Sequence, residues 1–243
     1  MKILSLETSA KTASAAITGE GCILAEVSVT AGLTHSQTLL PAVEALRRTA
    51  QLSLTDMDLF AVSRGPGSFT GIRIGIGALK GMAQGTGKPC LGVSTLEGIA
   101  ANFWGLAGVV CPVMDARCGQ VYAALFEGCP EGLSRLWPDD ALPVRELGEK
   151  LAALGRPAIL TGDGAELCFR ELSAALPGLT LAPPQLRLQR AACVGLAAEQ
   201  ALRKGVSPIS AAELMPEYLR LPQAERELNK KLQNQAQRKE SES

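Results

Sequence analysis

The sequence predicts an α/β protein built as two lobes, and three observations carry that reading. Three strand-length runs open the chain, at 2–6, 13–18 and 23–30. A Gly-Pro-Gly turn at 65–67 then separates a short apolar run from a long segment of helical period. Beyond Gly108 short apolar runs and amphipathic segments alternate again, so a second set of strands and helices follows the first.

The first lobe is assigned to residues 1–106. Its opening strands are joined by a turn at 8–11 and by Gly19-Glu20-Gly21, a connection short enough for a hairpin. Thr34 with Gln37 three residues on has capping-box spacing, and Leu39, Val43, Leu46 and Ala50 recur at helical period behind it. Pro41 falls inside that pattern, so the helix either kinks there or begins there. A strand at 58–63, a glycine-rich helix from about 69 to 86, a strand at 89–93 and a helix at 95–104 complete the lobe. In the second lobe, 107–222, the pattern gives strands at 109–114 and 120–127, a helix at 144–154 and a strand at 158–161. A Gly162-Asp163-Gly164 turn, a helix to about 175 and an amphipathic helix at 190–204 follow. Residues 223–243 are polar with mixed charge, a composition that buries too little apolar surface to offset ordering entropy. Three strands, a helix, then alternating strand and helix resembles the two-lobed ribonuclease-H-like fold of actin-like ATPases, sugar kinases and Hsp70.

Composition narrows the function. Hydrophobic residues make up 47% of the 243, enough for a core, while aromatics at 4% leave it to Ala, Leu, Val and Ile. Lysine plus arginine equals aspartate plus glutamate at 24 each. A protein gripping nucleic acid by itself would carry a basic excess, so any contact with RNA is expected to run through another subunit. Seven cysteines without a CxxC pair, and a single histidine, point away from a disulfide framework and from zinc. Glu7 interrupts the apolar start, and no run is apolar for long enough to cross a bilayer. The expected setting is a reducing cytoplasm.

The glycine helix is the strongest local anomaly. Gly71 and Gly75 lie one turn apart, and Gly77, Gly81 and Gly85 repeat the four-residue spacing. Each helical glycine costs about 0.8–1 kcal/mol relative to alanine, so five amount to roughly 4–5 kcal/mol. Close backbone approach is the natural compensation, and the approaching group is either the protein's own sheet or a partner's helix. A phosphate-loop reading is less complete. Gly71 is followed by Ile72-Arg73 rather than Lys-Ser/Thr, and Gly65, Gly67 and Gly71 miss the dinucleotide spacing by one residue. Thr8 and Ser9 after the first strand, with Gly162 and Gly164 in the second half, could form paired phosphate turns, but no glycine pair follows for an adenine pocket. His35 beside a helix start reads as a cap or surface residue, with nothing in the sequence placing it near Ser68 or a cysteine. Asp115 and Arg117 form a polar pair after a buried strand.

Several motifs occur together and in order. They are Glu7-Thr8-Ser9, HSQTLLP at 35–41, GPGSFTGIRIG at 65–75, GVSTLEGIA at 92–100, PVMDAR at 112–117, VYAALF at 121–126 and PEYLR at 216–220. This set resembles the bacterial TsaB (YeaZ) family over nearly the whole chain. The resemblance implies a non-catalytic partner subunit that activates a TsaD-like catalytic subunit for N6-threonylcarbamoyladenosine modification of tRNA, with a TsaE-like ATPase completing the assembly. It implies a degenerate nucleotide site and no cofactor. TsaD-like relatives build a metal site on H-x-x-x-H, and here the second position is Leu39, so no metal is expected. It places the TsaD contact on the helix starting at His35 and on the glycine helix, hence on His35, Leu39, Val43, Gly71, Ile72, Gly75, Ile76, Leu79 and Met82. With Ile72, Ile76, Leu79 and Met82 exposed, the free protein is expected to form a homodimer through that apolar patch. The alternative is an autonomous ATP-dependent enzyme of the actin/sugar-kinase superfamily, and a peptidase reading lacks metal ligands or a triad.

Overall fold

Residues 1–220 are described by a computed structural model, in which two five-stranded sheets repeat one chain path. In the first half, β1 (Lys2–Glu7), β2 (Ala13–Gly19) and β3 (Cys22–Val29) form an antiparallel meander. Glu20 and Gly21, both with positive φ, make the tight turn from β2 to β3. Then α1 (His35–Ala50), β4 (Leu59–Gly65), α2 (Phe69–Thr86), β5 (Cys90–Ser94) and α3 (Thr95–Ala100) give the order β3-β2-β1-β4-β5, with β4 parallel to both β1 and β5. The second half runs β6 (Gly108–Asp115), β7 (Gln120–Cys129), β8 (Gly132–Pro143), α4 (Val144–Leu154), β9 (Ala158–Thr161), α5 (Ala165–Leu172), β10 (Leu179–Leu181) and α6 (Ala191–Arg203). Its sheet order, β8-β7-β6-β9-β10, is the same path again. This is the two-lobed ribonuclease-H-like arrangement.

Alternation along the strands sorts the core into layers. Leu4, Leu6, Ile17, Phe60 and Val62 pack under α1 and α2 on the outer face of the first sheet. Ile3, Leu59, Ala61 and Val93 point the other way, to α3 and α6, which meet each other and Val110, Met114 and Phe126 of the second sheet. Val109, Cys111, Val113 and Leu125 face α4 and α5. The sequence is therefore helix, sheet, helix, sheet, helix, with α1 and α2 on one outside and α4 and α5 on the other.

Several expectations are corrected. Pro41 does not begin the helix: α1 runs from His35 through it, with Pro41 and Gln37, the residue whose carbonyl loses its donor, both exposed. Thr34 is the N-cap residue, but its hydroxyl donates to the Gln37 side chain at 2.8 Å instead of accepting a backbone N–H. Two strands were not anticipated. β8 contains Pro138 and the Asp139-Asp140 pair, residues uncommon within strands, yet it is an edge strand with irregular register against β7, where proline is tolerated. β10 is a three-residue edge strand. The division at 107–222 does not follow the packing, because α6 lies on β1, β2 and β4 of the first sheet. The segment after it also returns there: Ile209 and Cys90 exchange backbone hydrogen bonds at 2.7 and 2.9 Å, and Leu214 is buried in the first-half core. The polar stretch 223–243 lies outside the described residues.

Candidate functional site

The two glycine series of α2 face opposite environments. Gly71 and Gly75 point inward, where an added Cβ would lie under 3.0 Å from the Thr8 carbonyl oxygen and the Thr8 hydroxyl respectively. Gly77, Gly81 and Gly85 have nothing within 4 Å of that position and are exposed. Internal packing therefore accounts for Gly71 and Gly75, while Gly77, Gly81 and Gly85 stay open to the outside. The helix is well bounded: the Ser68 hydroxyl accepts the Gly71 N–H at 3.3 Å, and Gly87 closes it in the left-handed conformation.

Burial corrects most of the expected partner-interface residues. Leu39, Val43, Ile72, Ile76 and Leu79 are all 5% exposed or less and belong to the core beneath α1 and α2. Apolar residues at helical period are drawn to the sheet, so they are spent on folding and cannot also present an outward patch. The expected homodimer patch of Ile72, Ile76 and Leu79 goes with them; Met82 is half-buried. His35 is half-buried too, with Nε2 hydrogen-bonded to the Ala10 carbonyl at 2.7 Å and Nδ1 buried without a partner, so its bonded nitrogen meets backbone and not a nucleophile. What the pair of outer helices does expose is different: Leu40 at 55% with Pro41 and Ala45 on α1, and Arg73, Gly77, Gly81 and Gly85 in one row on α2. Half-buried Ile74, Ala78 and Met82 flank that row.

The Gly-Pro-Gly turn is locked from two sides. Gly67 has φ +154 and abuts Ser9, while Gly65 has φ +131 and abuts the Glu217 carbonyl, so a side chain at either would need both a rare backbone conformation and missing space. The Ser68 N–H donates to the Ser9 carbonyl at 2.7 Å. The Thr8 hydroxyl donates to the Gly71 carbonyl at 2.8 Å, and the Ser9 N–H donates to the buried Glu7 carboxylate at 2.5 Å. Ser63 donates to the other Glu7 oxygen. Burial holds the Glu7 carboxyl above the usual carboxylate range, against the opposing pull of the Ser63 and Ser9 hydrogen bonds.

In the second half, the Gly162 N–H donates to Arg187 O at 2.9 Å and the Gly164 N–H to Val113 O at 3.0 Å. The Thr8 hydroxyl and the Ser9, Gly162 and Gly164 N–H groups, which a pair of phosphate turns would offer to a ligand, are thus engaged with the chain itself, while the buried Ser9 hydroxyl has no partner. Asp163, next to these, is raised by burial, and Gln189 reaches it at 3.4 Å. Asp115 and Arg117 turn out to form a local cap, with the Arg117 N–H donating to the Asp115 carboxylate at 2.7 Å. Among the described residues no group of three or more His, Cys, Asp and Glu side chains converges as a metal site.

A strap over residues 208–220, unforeseen from the sequence, borders α2 along its length. Lys80 donates to Ala212 O at 3.3 Å, the Glu217 N–H donates to Arg64 O at 2.7 Å, and Arg64 and Glu217 form an ion pair at 2.9 Å. Tyr218 stacks on Phe69 with ring centroids 4.2 Å apart, and Arg220 donates to Ala116 O at 2.5 Å in the second half. PEYLR stood out as a motif, but nothing local in it names Phe69 as its neighbour.

Comparisons with known proteins agree with this geometry. A family model described as TsaD, tRNA N6-adenosine threonylcarbamoyltransferase, matches residues 27–228. The tRNA threonylcarbamoyladenosine biosynthesis protein TsaB of Bacillus subtilis is 32% identical over 229 residues, covering 93% of this chain and 96% of that protein. The Escherichia coli protein of the same name is 39% identical over 135 residues, 55% of this chain and 58% of that one. The solved structure of YeaZ from Pseudomonas aeruginosa superposes with a TM-score of 0.71 at 27% identity, covering 90% of this chain and 99% of that one. No helix among the described residues is long and apolar enough to cross a membrane. With 93% of its sequence matched and its double fold superposed on that of a solved relative, this chain belongs to the TsaB (YeaZ) family.

Proposed function

We propose that this protein acts in N6-threonylcarbamoyladenosine biosynthesis on tRNA as a non-catalytic subunit, docking onto a TsaD-type transferase through the outward face of α1 and α2. The observation that carries the reading is the exposed row Gly77, Gly81 and Gly85, open on a helix whose other glycines are consumed by internal packing. Three glycines whose place for a side chain is empty give up about 0.8–1 kcal/mol each without internal return. A helix laid along them can approach backbone to backbone, and the exposed Leu40 on α1 adds apolar surface beside it. The internal use of Thr8, Gly162 and Gly164 supports the non-catalytic part, because the groups that would grip phosphate already hold the protein together. Contact with tRNA runs through the complex, in keeping with a net charge of zero, and a TsaE-like ATPase is a further member.

The test is to mix the purified protein with the TsaD-type transferase of the same organism and follow complex formation by size exclusion and tRNA modification by nucleoside analysis. A stable complex, and modification that requires both proteins, is the expected result. Gly81→Leu should leave the fold intact and abolish the complex. Modification by this chain alone, or a Gly81→Leu protein that still forms the complex, would overturn the reading.

A further inference from the structure

Arg73 occupies an unusual position on the exposed row of α2. It lies one turn before Gly77, so it marks the N-terminal end of the glycine trough. Phe69, one turn earlier still, stacks on Tyr218 of the strap with an interplanar angle of 20°. The Arg73 guanidinium carbon sits 5.8 Å from the Phe69 ring centre and 5.6 Å from that of Tyr218, and Nε donates to the Tyr218 hydroxyl at 2.8 Å. Tyr218 is in turn fixed through its neighbour Glu217, which is tied to Arg64 by backbone and side chain alike. Two aromatic rings and one hydrogen bond therefore hold an exposed guanidinium by its inner edge.

Nothing among the described residues pairs with its outer edge. Arg73 takes part in no ion pair there, and its terminal nitrogens make no hydrogen bond. The 18 residues of α2 contain no aspartate or glutamate, and its first turn, where the helix dipole favours negative charge, carries none. A fork of N–H groups facing outward beside a helix N-terminus fits a carboxylate, which can accept two parallel hydrogen bonds. Because the fork is already held, little side-chain freedom is lost when that carboxylate arrives.

We propose that Arg73 determines the specificity of the docking face, receiving an aspartate or glutamate from a partner helix laid along the glycine trough, and that Tyr218 is its positioning residue. The inference rests on the reading of α2 as the docking surface and adds the chemistry of the partner to it: a helix bearing a carboxylate over the first turn of α2. Arg73 and Tyr218 are 145 residues apart, so the strap is what readies the site.

The experiment measures affinity of the full chain for the TsaD-type transferase of the same organism by titration calorimetry, with thermal unfolding of each variant alongside. Gly81→Leu, which tests the trough, should lose binding. Arg73→Glu should weaken binding about 100-fold, and Arg73→Lys, which keeps the charge without the fork, about 10-fold. Tyr218→Phe keeps the stack and loses the hydroxyl, for a loss of about threefold. Wild-type affinity should fall between about 0.05 and 0.5 M salt more steeply than that of Arg73→Ala. The deciding result is restoration: changing one aspartate or glutamate of the transferase to arginine should recover binding of Arg73→Glu, which a merely structural role for Arg73 could not produce. If Gly81→Leu abolishes binding while Arg73→Glu binds within twofold of wild type, or if no charge swap restores Arg73→Glu, the Arg73 inference is wrong and the docking face stands. If Gly81→Leu binds normally, the docking face itself is wrong and Arg73 falls with it.

Discussion

Thr8 and Gly71 hold the first strand and the glycine helix together at a distance no side chain could share. The Thr8 hydroxyl donates to the Gly71 carbonyl at 2.8 Å, and the Gly71 Cα packs so tightly on the Thr8 backbone that a methyl group there would overlap its carbonyl oxygen. The turn after β1, which in a phosphate-binding protein would stay open for a ligand, is here a seat for a helix.

The glycines of α2 should accordingly divide by direction. Gly71→Ala and Gly75→Ala are expected to lower stability by about 1–3 kcal/mol through overpacking. Gly77→Ala and Gly81→Ala, with nothing near the added carbon, should raise it by about 0.8–1 kcal/mol. Urea denaturation of the four single variants separates the sets. Equal destabilisation by all four would contradict the assignment of faces.

Glu7 gives a pH signature. Its carboxyl is raised above the ordinary 4.5 chiefly by burial, so the folded protein holds the proton over a range where the unfolded chain has released it. Stability from the neutral buried carboxyl is fully present below pH 4.5 and is lost as pH rises through the folded value. Glu7→Gln cannot ionise, so the wild-type melting temperature should decline relative to this variant as pH climbs from 4.5. A constant difference between the two proteins across that range would show that Glu7 titrates alike in both states.

The strap should be integral to the fold. Leu214 is 1% exposed within the core under α2, and Leu214→Ala is expected to cost about 2–5 kcal/mol. A calorimetric melt within a degree or two of wild type would mean that the segment is merely laid on the surface.

Thiol chemistry should report the same layering. Cys22 and Cys118 are exposed and should react promptly with an aromatic disulfide reagent at neutral pH. Cys168 and Cys193 are pushed up to about 12 by burial, and Cys111 is raised further by the same cause, so these three should stay silent until the protein unfolds. Labelling followed by peptide mass analysis checks it; modification of Cys111 in the native state would indicate an open second-half core.

Much of the architecture was legible locally. The helices 69–86 and 144–154 and the strand 158–161 are found where the periodicity puts them, because an amphipathic stripe and its flanking glycines are local properties of the chain. β8 was hidden because Pro138 and two adjacent aspartates look the same in a turn as on an edge strand whose outer side meets water. The site was legible only in part. Four-residue glycine spacing announced close backbone approach, but periodicity ranks residues around a helix without saying which side the sheet will take, and so Ile72, Ile76 and Leu79 were expected outside when they are inside.

The sequence by itself determined the order of elements, the residues able to form a core, the Gly-Pro-Gly turn and the family, since each rests on local backbone preference or on a motif read in place. Only the tertiary structure decided which glycines face outward, that α6 and the strap belong to the first sheet, and that Arg73 is held by Tyr218. Those outcomes depend on contacts between residues far apart in the chain, made when the two halves close over α3 and α6, and no local pattern names the partner of a side chain whose neighbour is 145 residues away.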